Sequence, residues 1–327
     1  MSEAIGKLPP TVEYLLTRRV PCGVVAALLF SLVVLVPKVS AFLAFLLLPG
    51  LLALHLFTPG LFALISFGGG VSFASQVALI GAAVVWLLAG FKISAALVFL
   101  LLYALVPLAA ARALMREGGL ARSSVNLFST LALAVIAALV AGSMAEGKGL
   151  SPFVGDLLAP IFAEWGHTLS GVEETARLAQ VRAMTIAVFP GMMGVLLWAI
   201  WFSVLLLARR LALRFGFYVG DRESLLQIRF GVGVAYLFAG LLLAGLLLAD
   251  GAQYLAITAT IMVGALLALQ GLMVVHSWLD ARRMGWTIVA MYLVVLISST
   301  LVIPFVALGF LDIWYDFRRR FTSAAGG

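Results

Sequence analysis

Apolar runs long enough to cross a lipid bilayer recur from one end of this chain to the other, and no other feature limits its fold as much. A membrane-crossing helix needs about 20 apolar residues, because the hydrocarbon layer is about 30 Å thick and holds no water to satisfy exposed backbone. Nine candidate segments meet or approach that length: about 20–36, 40–57, 71–90, 93–111, 125–143, 184–208, 229–249, 253–279 and 286–310. Composition points the same way. The chain is 64% hydrophobic and 11% charged, where a soluble domain carries about 45–50% and about 25%. We therefore expect an all-α, polytopic transmembrane helical bundle of about 8–9 hydrophobic segments. Soluble enzymes, disordered chains and collagen-like chains are excluded, and no alternating ten-residue strand pattern suggests a barrel.

Charge sets the expected orientation. Lys and Arg total 21 against 14 Asp and Glu, and the excess sits in short loops between apolar runs. That is the pattern of the positive-inside rule, and without interleaved aromatics it predicts no nucleic-acid partner. One side gathers 13 basic residues: Lys7, Arg18, Arg19, Arg112, Arg116, Arg122, Arg209, Arg210, Arg214, Arg222, Arg229, Arg282 and Arg283. The other holds 5: Lys38, Lys92, Lys148, Arg177 and Arg182. The expected layout is a cytoplasmic N-terminal segment (1–19), a transmembrane domain (20–311) and a basic C-terminal tail (312–327). No small-residue cleavage pattern closes the first apolar run, so it reads as a retained helix rather than a signal peptide. Nine full crossings would strand Arg318, Arg319 and Arg320 on the outer side. Either the last segment breaks at Pro304 and turns back, or an early segment does not cross, giving about 8 crossings.

Several local features refine this layout. The first two segments meet at Pro37–Lys38 as a tight hairpin or a partial entry. Residues 57–70, with Pro59 and Gly68–Gly69–Gly70, read as a bend or re-entrant turn. Stretch 144–183 is the longest outside the membrane, on the non-cytoplasmic side, and is too short for a separate domain. Within it Phe153, Leu157, Ile161 and Trp165 recur every four residues, as the apolar line of an amphipathic helix. Ser170 and Glu173 form a candidate capping box for the next helix, and Pro190–Gly191 predicts a kink. Gly231, Gly233, Gly240, Gly245, Gly264 and Gly271 read as close helix-packing positions.

Few residues carry chemistry. Ser72, Ser75, Gln76, Thr258 and Gln270 are candidates for a polar pocket inside the membrane, or else hydrogen-bonding links between helices. His55 reads as a ligand contact or proton relay, or else as an interfacial histidine bonded to a backbone carbonyl, and His276 can pair with Asp280 one turn on. Asp312, Asp316, Arg318, Arg319 and Arg320 form either an ion-pair anchor against the arginine-rich loops or a docking surface for a partner. Cys22 is the single cysteine and the histidines His55, His167 and His276 are scattered, so neither a disulfide nor a metal site is expected. No P-loop is present. No cofactor is expected, and without an acid–nucleophile pair no enzymatic activity is either.

Three stretches resemble one bacterial family. They are Pro107–Gly119 (PLAAARALMREGG), the external helical segment entering the Pro190 span, and the ending Gly309-Phe-Leu-Asp312-Ile-Trp-Tyr-Asp316-Phe-Arg318. Together with the short N-terminal apolar segments, the chain from about 15 to 320 resembles the YybS-like family of uncharacterised bacterial inner-membrane proteins. That resemblance implies location in the bacterial inner membrane. It also implies a distant similarity to substrate-binding subunits of energy-coupling-factor transporters and to MreD-type rod-shape proteins. Those transporter subunits dock a coupling partner through small alanine positions, to which Ala109, Ala110, Ala111 and Ala113 would correspond.

The expected function is a small-molecule-binding or transport-related membrane subunit that lacks its own ATPase. The alternative is a non-enzymatic scaffold for envelope or division machinery. Expected partners are membrane lipid, a small-molecule ligand and a membrane or cytosolic protein.

Overall fold

The computed structural model describes residues 10–35, 41–116, 119–166, 172–218, 220 and 222–319, and among them there is no strand. The helices are α1 (Pro10–Thr17), α2 (Arg19–Leu35), α3 (Ala41–Leu88), α4 (Ile93–Val98), α5 (Val106–Met115), α6 (Gly119–Ala145), α7 (Leu150–Gly166), α8 (Val172–Arg214), α9 (Val232–Leu247), α10 (Asp250–Ala281), α11 (Gly285–Ile297) and α12 (Ile303–Tyr315). A π-helical stretch (Phe99–Leu105) joins α4 to α5. Among the described residues five helical stretches are long and apolar enough to cross a membrane: Ala53–Leu88, Ile93–Met115, Gly119–Ala145, Ala176–Arg214 and Asp250–Ala281. The chain is thus a helical, multi-pass membrane protein. It groups into two compact units, residues 1–131 with 197–222, and residues 132–196 with 223–327.

In the first unit α2 lies along α3 through small side chains. Ala26, Ala27, Ala74 and Ala78 are buried there. A methyl on Gly23 would come within 2.8 Å of Ile80, and one on Gly81 within 2.8 Å of Phe99. Small residues let helix backbones approach where lipid supplies no hydrophobic drive. Phe30, Phe62 and Phe99 fill the remaining space edge-on, with ring centroids 5.3–5.7 Å apart.

The bend expected over 57–70 is present but narrower than expected. Residues 57–69 stay helical despite Pro59, and the irregularity shrinks to Gly70, at φ 79 and ψ 167. In hydrocarbon a helix is the cheapest way to satisfy the backbone, so glycine-rich apolar chain remains helical wherever it can. Only glycine adopts that φ without a steric cost. The segment expected at 40–57 thus extends helically to residue 69 and meets the one expected at 71–90 at the Gly70 break. The hairpin expected at Pro37–Lys38 lies outside the described residues.

Pro107 explains the π-helical stretch. Its ring removes an amide donor and crowds the preceding turn, which widens to π geometry over residues 99–105. The Leu102 carbonyl, five residues before Pro107, instead accepts a long hydrogen bond (3.4 Å) from the Trp201 indole N–H.

In the second unit α10 is the central helix, with buried residues along most of its length. α9 packs on it, and Gln253 Nε2 donates to the Gly245 carbonyl across the short α9–α10 connection (3.0 Å). α8 approaches through Gly191 and Gly194. A methyl on Gly191 would lie 2.9 Å from Ile261, and Met262 fills the space beside Gly194. α8 continues through Pro190, so the expected kink site serves as a close-packing site.

The segment expected at 286–310 is broken. The break centres on Ser298 and a short 3-10 turn (Ser299–Val302), with Pro304 at the start of α12. α11 and α12 have 13 residues each, about 20 Å, which is shorter than the hydrocarbon layer. Gly264 faces Val306, the Leu267 carbonyl faces Gly309, and Gln270 bonds Asp312, so α12 runs parallel to α10. Its C-terminal end thus points toward the end of α10 that Arg282 and Arg283 follow, and reaches the level of Met273. The helix also runs past the expected tail boundary at 312, to Tyr315.

Two packing expectations change. On α7 the buried line is Val154, Leu158 and Phe162, which meets Leu139 and Tyr254. Leu157 and Ile161 are exposed, Phe153 sits at the border against Gly142, and the Trp165 side chain lies outside the described residues. Both lines are apolar, and tertiary contact selects the one beside α10. Of the glycines, Gly271 and Gly264 do meet neighbours, and Gly245 is in ordinary contact with Ile257. Gly231, Gly233 and Gly240 face open space, so close packing does not account for them. The Ser170–Glu173 capping box lies outside what is described.

Candidate functional site

A buried polar cluster in the second unit forms where the loop before α9 meets α10 at Gln270 and the end of α12. Asp312 is fully buried, and its Oδ2 accepts from Gln270 Nε2 (2.9 Å) and an Arg318 guanidinium nitrogen (3.0 Å). Its Oδ1 accepts from the Phe317 amide (2.9 Å). Gln270, also fully buried, accepts the Phe230 amide at 2.8 Å. Arg318 donates to the carbonyls of Leu226 (2.5 Å) and Ile228 (2.8 Å). Arg229 pairs with Asp316 at 2.8 Å. A left-handed residue at Asp316 (φ 45) ends α12 and swings Arg318 back toward Asp312.

Each member of this cluster is spent on another, as a buried charge requires. Gln270 links a loop amide to Asp312 and does not face a ligand. Asp312 has no exposed surface to offer a partner. Arg319 is exposed, and Arg320 lies outside the described residues.

The other polar-pocket candidates do not converge either. In the first unit Ser75 bonds its own helix at Val71, while Ser72 and Gln76 are exposed on α3. In the second, Thr258 is buried with its hydroxyl unpartnered, and it lies 12 positions before Gln270 on α10, about 18 Å along the axis.

The histidines find partners the sequence did not suggest. His55 hydrogen-bonds the Tyr103 hydroxyl and packs against Phe30 and Tyr103, rather than pairing with a carbonyl alone. His276 bonds the Tyr292 hydroxyl at 2.9 Å, while Asp280 is exposed. The tyrosines lie 48 and 16 residues away, beyond the helix that holds each histidine, so no spacing within one helix could have revealed them.

A cavity of about 310 Å³ in the second unit went unnoticed in the sequence. Met192, Val195, Phe238, Ile261, Gly264, Ala265 and Val306 line it, and Thr260 is its one polar side chain. Val302 and Ile303, at the helix break, complete the wall. Broken backbone at membrane depth is tolerated where it is buried or lines a cavity. The sequence signal that could have found it was the small pair Gly264–Ala265 opposite the Pro304 break.

On the non-cytoplasmic side of the expected layout, Lys148 pairs with Asp156 (2.7 Å) and Glu146 (2.9 Å). Hydrogen bonds to Asp156 and then Glu146 hold its ammonium above the ordinary lysine range. Among the described residues no group of three or more His, Cys, Asp or Glu could hold a metal ion. No family model matches the chain, and neither does any curated protein or solved structure.

Proposed function

We propose that this chain is a multi-pass inner-membrane subunit of YybS-like type that binds a small apolar molecule and has neither an ATPase nor an enzymatic activity of its own. The observation that carries the reading is the apolar cavity walled by a broken helix. About 300 Å³ is the lower size for a small-molecule site, and the cavity has about 310 Å³. Interrupted helices at membrane depth are the recurring framework of transporter binding sites. The lining favours a largely apolar ligand with one hydrogen-bond donor, because the Thr260 hydroxyl donates to the Ala256 carbonyl (2.8 Å) and is left to accept. The end of the second unit with Arg229, Arg282, Arg283 and Arg318 is assigned to the cytoplasm by the positive-inside rule.

Native mass spectrometry of protein extracted in mild detergent tests the reading. The expected result is a co-purifying apolar mass that is lost on Val306→Phe, which fills the cavity. A cavity that releases only detergent or bulk phospholipid, in both forms, would count against it. The scaffold reading loses support because Asp312 and Arg318 are tied into the fold.

A further inference from the structure

Three arginines gather around one cavity of the first unit. It opens where α5 ends and α6 begins, and its volume is about 720 Å³. Arg112, Arg116, Arg122 and Asn126 supply its polar lining, with Ala109 and Ala113 as small residues in the wall. The Ser123 hydroxyl, buried, donates to the Ala110 carbonyl at 2.7 Å and fixes α6 against α5. Among the described residues none of the three arginines is in an ion pair.

Arg112 and Arg116 have a local reason to sit where they do, since the carbonyl end of α5 favours cations. Arg122 has none. It stands at the start of α6, where the amide end already carries about half a positive charge, and that first turn holds no acid. Between residues 112 and 126 the sequence has three arginines and one carboxylate, Glu117, which lies outside the described residues. Arg112, Arg116, Arg122 and Asn126 are all exposed around this opening, so an anion from outside the chain can reach them together. The depth suits one. The apolar stretch Ile93–Met115 has 23 residues, about 34 Å, so its end reaches the level of lipid phosphates.

We propose that this cavity binds a phosphate-bearing anion, supplied by an anionic phospholipid headgroup or by free phosphate. Asn126 adds a neutral hydrogen-bond donor to the three guanidinium groups. The site does not depend on the apolar cavity of the second unit.

The test uses the full chain, transferred from detergent into bilayer discs of mixed phosphatidylcholine and phosphatidylglycerol, with retained lipid read by native mass spectrometry. Phosphatidylglycerol should be retained over phosphatidylcholine by about tenfold or more. Arg122→Gln should reduce that preference about fivefold. Arg210→Gln, which removes an exposed arginine outside the cavity, should leave it unchanged. Should Arg122→Gln fail to fold, Arg116→Gln carries the same expectation. In lipid-free micelles, a stabilisation by inorganic phosphate that disappears in Arg122→Gln would assign free phosphate as the source. Retained phosphatidylglycerol with no response to phosphate would assign the lipid. The proposal fails if neither ligand distinguishes the wild type from Arg122→Gln, or if Arg210→Gln loses the preference equally.

Discussion

The backbone of Gly271 lies directly against that of Gly309. A methyl on Gly271 would overlap the Phe305 carbonyl, and one on Gly309 would overlap the Leu267 carbonyl. No flexible side chain stands between α10 and α12 at this point, so neither helix can yield locally. The contact also sets the register that brings Gln270 to Asp312 one turn further on.

Gly271→Ala and Gly309→Ala should therefore each destabilise the fold by about 3 kcal/mol or more. Gly240→Ala, on a helix face with open space, should be neutral or stabilising by up to about 1 kcal/mol. Loss of helicity during titration with a denaturing detergent measures all three. Equal effects at Gly240 and Gly271 would refute the assigned register.

Removing Asp312 takes one carboxylate bond from an Arg318 side chain that is only 13% exposed and leaves Gln270 Nε2 without its acceptor. Asp312→Ala should cost about 3–5 kcal/mol, the range for breaking a buried pair. In a double-mutant cycle with Gln270→Leu the coupling should reach about 1–3 kcal/mol. Additive effects in the same unfolding assay would show that the two side chains do not act together.

Thr258 buries a hydroxyl that has no partner. Thr258→Val keeps the shape and removes the orphaned group, so stability should hold or rise by about 1 kcal/mol. Ligand retention should not change. A drop in co-purifying ligand would instead place that hydroxyl in the binding site.

Lys148 shows its shift as pH rises. Its folded value lies above that of the unfolded chain, so the contribution of its pairs is present at neutral pH and is lost only as alkali passes the raised value. At a pH where a free lysine reacts readily, Lys148 should acylate more slowly. Asp156→Asn should restore ordinary reactivity, as read by peptide mass spectrometry after brief labelling.

Apolar run length by itself determined the membrane class and the helical fold, because hydrocarbon leaves the backbone no other partner. The breakers Pro304 and the triple glycine were also legible as places where a helix must adjust, whereas the helix continues through Pro190. Run length could not tell which apolar line of α7 turns inward, since Phe153–Leu157–Ile161 and Val154–Leu158–Phe162 are equally hydrophobic. Nor could it show that Gln270 completes a carboxylate–guanidinium cluster, or that His55 and His276 meet tyrosines beyond their own helices. Those choices belong to tertiary structure. A hydrogen bond inside a low-dielectric interior depends on which helices lie side by side and in what register, and glycine contacts such as Gly271 with Gly309 decide that only after the helices have met.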